Sequence, residues 1–203
     1  MGANKFFEKQ DYTEKKRQIL TAAIKVFACK GFHYAKIEEI ASDAGVGKGT
    51  VYEYFKSKQD LFQEMIKYIN SLYLEKILTK LEEKDTFKEK VQCLLATQLK
   101  FALEHKEMAQ ILMTDMPPLD DDFKKWFLEC RKRQIQFIQD NVMYGIERGE
   151  IGGYDSYLIA GAIAGAINYF GDSIMLNGQD MAKNDLEAFS ATFVDLLYRG
   201  IAK

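Results

Sequence analysis

The chain has 203 residues, 47% of them hydrophobic and 29% charged, which suits one sizeable domain or a small one joined to a larger one, each with a real core. Two prolines and mostly isolated glycines argue against a turn-rich all-β fold. The net charge of −2 hides a gradient, since residues 1–60 carry +3 and the remainder −5, a weakly basic head that suits an anion and an acidic body that does not.

Residues 1–10 are polar with no period and read as an arm. Its Lys5 and Lys9 either reach a nucleic-acid backbone or are simply solvated. A first helix starts near Asp11 or Thr13, either of which can cap it, and its apolar face is Ile19, Leu20, Ala23, Ile24 and Phe27. Gly31 stands where a left-handed residue ends a helix. Short helices follow at about 37–44, with Ile37, Ile40, Ala41 and Ala44 inward, and about 48–55, separated by Gly45. Ser57 with Asp60 resembles a capping box and opens a long helix to about residue 83, faced by Leu61, Met65, Ile69, Leu72 and Tyr73.

Further helices are expected at about 87–104, 106–114 and 120–148, the last carrying Phe123, Trp126, Phe127, Cys130, Phe137 and Ile138 and stopped by Gly149. Asp155 can cap a helix over 157–176 that reads as buried on nearly all sides. Its longest apolar run ends at Ile167, short of the about 20 residues a bilayer requires, so no membrane span is expected. A final helix covers about 184–202, with Phe189, Phe193, Leu196, Leu197 and Ile201 inward. The fold class is all-α with about nine helices.

Cys29, Cys93 and Cys130 are odd in number and lack a Cys-x-x-Cys spacing. They read as buried free thiols, with a redox sensor as the alternative. Reduced thiols and an N-terminus without the apolar core of a secretion signal fit a cytoplasmic address.

The two short helices around Gly45 form a helix-turn-helix pattern, because a glycine with positive φ lets the chain turn sharply between them. Val51 and Phe55 face inward, which leaves Lys48, Thr50, Tyr52, Glu53 and Tyr54 for the other faces. A helix that reads a DNA groove needs donors at its N-terminal end and along its flank. Gly49 removes bulk where backbone must approach phosphate, and Lys58 stands at the next helix start, where its ammonium and free N–H groups can hold another phosphate.

The run Ile40-Ala41-x-x-Ala44-Gly45-Val46-x-Lys48-Gly49-Thr50-Val51-Tyr52-x-Tyr54-Phe55-x-Ser57-Lys58-x-x-Leu61, with Ile19-Leu20-x-Ala22-Ala23-x-x-x-Phe27-x-x-x-Gly31-Phe32 upstream, resembles the DNA-binding signature of the TetR (tetracycline-repressor) family. Gly145-x-x-x-Gly149-Glu150-Ile151 resembles that family's weaker tail pattern. The resemblance implies a DNA-binding domain over 1–56 and a ligand-binding and dimerisation domain over 57–203. It also implies a homodimer through the last two helices, and repression at a near-palindromic operator. A small effector would shift the long fourth helix and release the DNA.

Carried onto this sequence, the DNA contacts would be Lys48, Gly49, Thr50, Tyr52, Tyr54 and Lys58. Lys36 and Gly47 stand where the family often has a hydroxyl residue. Lysine cannot cap through an acceptor but can reach phosphate, and at Gly47 backbone would replace the hydroxyl. Glu53 either accepts from a cytosine amino group or is solvated or lysine-paired.

Phe101, Met108, Ile111, Met113, Trp126, Phe137, Tyr144, Tyr169 and Phe170 are candidates to line a cavity for a lipophilic effector, a drug-like compound or an acyl chain, each with the alternative of plain core. Asn168 and Asp172 can orient a ligand or bond across a dimer. The small residues Ala160, Gly161, Ala162, Ala164, Gly165 and Ala166 permit close backbone approach, and an apolar surface too large for one chain favours pairing with a copy. An enzyme is disfavoured: His33 and His105 have no ligand-spaced partners, and there is neither a phosphate-cradling loop nor a nucleophile elbow. No cofactor or metal is expected.

Overall fold

In the computed structural model, which describes residues 12–105, 117–181 and 185–201, Thr13 Oγ1 accepts the Lys16 N–H at 3.3 Å and starts α1 (Glu14–Tyr34). Ile19, Leu20, Ala23 and Phe27 are buried on one side of α1. Gly31 breaks its regular turn with φ 75°, a conformation open to a residue without Cβ. Then come α2 (Ile37–Asp43), α3 (Lys48–Tyr54) and α4 (Lys58–Glu82). At the start of α4, Ser57 Oγ accepts the Asp60 N–H at 3.0 Å, while the Asp60 carboxylate accepts the Lys56 N–H at 2.8 Å. The reciprocal cap is therefore shifted one residue from the expected box.

The described residues of 12–72, 105 and 117–125 form one compact unit. Phe27, Phe32 and Phe62 meet in its centre with ring centroids 5.2–5.8 Å apart, and Leu61, Met65, Ile40 and Phe55 close around them. Each such side chain contributes about 1.5–3 kcal/mol on burial. Gln59 and Gln63 of α4 tie residues 118–120 to this unit. Gln59 Nε2 donates to the Pro118 carbonyl at 2.5 Å. With its amide nitrogen facing the Asp120 carboxylate, Gln63 donates at 2.6 Å and accepts the Asp120 N–H at 3.1 Å.

The second unit holds described residues 73–104, 126–181 and 185–201. Thr86 and Glu89 form a true capping box at α5 (Phe87–Glu104), with bonds of 3.0 and 3.2 Å between side chain and backbone N–H. Asp120 caps α6 (Asp121–Glu147) through the Phe123 N–H at 2.7 Å. Asp155 caps α7 (Ser156–Met181) through Leu158 at 2.9 Å, and Asp185 caps α8 (Leu186–Ile201). α6 ends on Gly149 at φ 70°, with Glu150 N–H bonded to the Gly145 carbonyl and Gly149 N–H to that of Ile146, the paired bonds of a Schellman motif. α5 packs against α7 and α8.

The described residues hold eight helices and no strand, an all-α fold. The expected helix at 106–114 lies outside the described residues, as do Lys5 and Lys9 of the arm. Three expectations change. α7 is not covered all round by its own chain: Ile159, Ile163 and Ile167 are buried, but Leu158 (69% exposed), Gly161, Ala162, Gly165 and Tyr169 (67%) form an open face. Leu196 points outward at 73% exposure, because the inner stripe of α8 runs through Leu186, Ser190 and Val194 instead. Cys29 is exposed, while Cys93 is buried and Cys130 half-buried. No described helix is long and apolar enough to cross a membrane.

Candidate nucleic-acid interface

The turn between α2 and α3 is built by backbone. Gly45 has φ 67°, its N–H bonds the Ser42 carbonyl at 3.2 Å, and the Val46 N–H reaches back to Ala41 at 2.9 Å. A Cβ on Gly45 would meet nothing within 4 Å, so glycine is required there by dihedral angle and not by space. Val51 and Phe55, each 1% exposed, anchor α3. Gly47, Lys48, Gly49, Tyr52, Glu53 and Tyr54 are exposed, and Thr50 is half-exposed. A Cβ on Gly49 would likewise meet nothing. Among the described residues no contact demands a glycine at 49, and the backbone there is exposed.

The charges are disposed less simply than the sequence suggests. Lys48 Nζ lies 2.6 Å from Glu38 Oε1 and 6.0 Å from the Tyr52 ring centroid. The hydrogen bond holds Glu38 below the usual carboxylate range and Lys48 above the usual ammonium range. Lys30 pairs with Glu39 at 2.8 Å and Lys25 with Asp43 at 3.4 Å. Lys36 is the exposed N-cap of α2; the Glu39 carboxylate accepts its N–H at 3.3 Å, while the Glu39 N–H bonds the Lys36 carbonyl at 3.1 Å in place of a capping side chain. Lys58 is turned inward: its ammonium donates to the carbonyls of Phe32, His33 and Ala35 at 2.7, 3.1 and 3.1 Å.

Residues 19–65 match the family described as bacterial regulatory proteins, tetR family, a stretch that contains all nine nominated DNA-contact positions. Over 188 residues the chain is 29% identical to the fatty acid metabolism regulator protein of Bacillus subtilis, covering 92% of this chain and 95% of that protein. The crystal structure of the transcriptional regulator FadR from Bacillus subtilis in complex with stearoyl-CoA superposes with a TM-score of 0.74 at 29% identity, covering 91% of this chain and 98% of that one. The fatty acid degradation regulator FadR from Bacillus halodurans gives 0.73 at 25% identity, with the same coverage of both chains. Residues 19–65 belong to the tetR family of bacterial regulatory proteins.

Of the nominated effector residues that are described, two are buried and two stand on the surface. In the second unit, Phe101 is buried and stacks edge-on to Tyr73 at 5.2 Å, and Phe137 lies in the core. Trp126 is half-buried. Phe170 packs against Phe189 and Phe193, both at 5.1 Å. Tyr144 is surface-exposed, its hydroxyl accepting from Arg148 at 2.9 Å, and Tyr169 stands on the open face of α7 with Asp172. Asn168 is half-buried. Met108, Ile111 and Met113 lie outside the described residues.

Sequence reasoning missed Glu38. Spacing within a helix does not reveal a partner on the next helix, and only the Gly45 turn brings Glu38 to Lys48.

Proposed function

We propose that this chain is a ligand-responsive transcriptional repressor that binds a near-palindromic operator as a homodimer and lets go when a long-chain fatty acyl-CoA binds its C-terminal part. The outward face of α3 carries the reading. That helix is anchored by Val51 and its C-cap Phe55, and it offers Lys48, Thr50, Tyr52 and Tyr54 together with the bare backbone of Gly47 and Gly49. A protruding short helix with such donors fits the major groove. Lys36 reaches phosphate, and Glu53, exposed and unpaired among the described residues, accepts from a base or stays in water.

Residues 1–56 hold the reading elements and 57–203 the sensing and pairing ones. The first half of α4 shares the core of the reading unit and its second half that of the other. Displacement along this one helix then supplies the coupling. The open apolar face of α7 and the outward Leu196 of α8 are covered by a second copy. Two related half-sites about 34–36 Å apart require such a pair. The acyl-CoA assignment is supported by the stearoyl-CoA in the FadR complex, and Phe101, Trp126, Phe137 and Phe170 supply apolar lining for the acyl chain, with Met108 and Ile111. The protein works in the cytoplasm, where both ligands are found, and catalyses no reaction.

The test is selection of bound fragments from the source genome, followed by titration of the operator complex with stearoyl-CoA. Release by the thioester but not by free CoA is expected. Lys48→Ala and Tyr52→Ala should each weaken operator binding about tenfold, in line with roughly 1–3 kcal/mol for a good groove contact. Full affinity in both would count against the assignment.

A further inference from the structure

Lys58 has its ammonium fully engaged in the free protein. It donates to the Phe32, His33 and Ala35 carbonyls at 2.7, 3.1 and 3.1 Å, and an ammonium has three N–H donors. All three acceptors follow Gly31, where α1 breaks and carbonyls lose helical partners. Negative potential gathers at a helix C-terminus, which favours a cation there. The nitrogen also lies 4.6 Å from the Phe32 ring centroid, a cation–π distance. Lys36 and Lys48, by contrast, are exposed.

The third acceptor, Ala35, directly precedes Lys36, the N-cap of α2. One side chain from the first turn of α4 therefore fixes the corner from which α2, and after it α3, is presented. The geometry points to Lys58 as a positioning residue of the reading unit that supplies no charge to a phosphate. For Lys58 to reach DNA it would have to abandon three carbonyls at once. The clamp stands on these bonds alone; only its consequence for DNA rests on the function proposed above.

The test compares full-length Lys58→Met, Lys58→Arg and Lys36→Met. The readouts are the melting midpoint without DNA and the affinity for the selected operator across about 50–200 mM salt. Both Lys58 variants should lower the midpoint by about 3 °C or more and weaken the operator complex about tenfold, while the slope of log affinity against log salt stays within about 0.3 of wild type. Arginine keeps the charge but its flat fork cannot converge on three carbonyls, so it should not rescue. Lys36→Met should do the reverse, with a shallower slope and an unchanged midpoint.

An unchanged midpoint in Lys58→Met, a slope lowered by about 0.9, or wild-type affinity in Lys58→Arg would overturn the clamp. A Met variant that fails to fold supports it, and the Arg variant then carries the binding comparison. If wild-type protein binds no duplex, the regulator reading falls, and the midpoints still decide the clamp.

Discussion

Glu150 Oε2 accepts the backbone N–H of Phe87 at 2.7 Å, across 63 positions of sequence. The same carboxylate takes the Arg148 guanidinium at 2.7 Å, and the Glu150 carbonyl accepts the Tyr198 hydroxyl at 2.6 Å. Gly145 lets this happen: a Cβ there would stand 3.0 Å from Phe87 Cβ and 3.1 Å from its Cγ. The Gly145-x-x-x-Gly149-Glu150-Ile151 run is thus a joint between the end of α6, the start of α5 and α8. Glu150→Ala should cost about 1–2 kcal/mol of unfolding free energy and Gly145→Ala about 1–3, both read from urea denaturation. Neutral outcomes would show that the joint is dispensable.

Glu38 holds the ammonium that Lys48 is proposed to offer to DNA. Glu38→Gln frees the ammonium from the 2.6 Å pair, so duplex affinity should rise several-fold, and its salt slope should steepen by up to about 0.9 as one more counterion is released. If Glu38 instead aims Lys48 at its phosphate, the same variant would bind more weakly. Fluorescence anisotropy at several salt concentrations separates the two signs.

Glu64 links stability of the reading unit to pH. Burial alone would raise its pKa, but hydrogen bonds from Lys16 and Lys67, both at 2.8 Å, outweigh it and hold the carboxyl below the ordinary range. Its folded pKa therefore lies under the unfolded value of about 4.3. The contribution is complete above that value and disappears as pH falls through the folded one. Glu64→Gln should cost about 1–2 kcal/mol at pH 7 and flatten the acid limb of the stability profile below about pH 4.3. An acid limb of unchanged steepness would remove Glu64 from that role.

Gly165 lies on the open face of α7, and a Cβ there would meet nothing in its own chain. Gly165→Arg should leave the helical circular-dichroism spectrum unchanged while sedimentation shows single chains in place of pairs. Operator affinity should then collapse, since one head reaches one half-site. A variant that still pairs would move the interface elsewhere.

Helices, caps and the reading element were legible because each rests on local rules. Thr13, Ser57, Asp155 and the glycines at 31, 45 and 149 all act within a few residues of themselves. What the sequence withheld was pairing over distance. Nothing near Lys58 announces three carbonyls more than twenty positions upstream. Leu196 was misread as inward because apolar periodicity marks a stripe and not what covers it. The effector residues were hardest. Aromatic side chains spaced as core look alike whether they face a ligand, as Phe101 is proposed to, or solvent, as Tyr144 does.

The three thiols divide unequally. Burial raises the pKa of Cys93 and Cys130 and keeps them protonated and slow toward alkylating reagents, whereas Cys29 is exposed on α1. A maleimide spin label should therefore attach once per chain, on the reading unit, with no engineered cysteine. In a pair of copies, the spacing between the two nitroxides then gives a ruler for how far the heads separate when an acyl thioester is added.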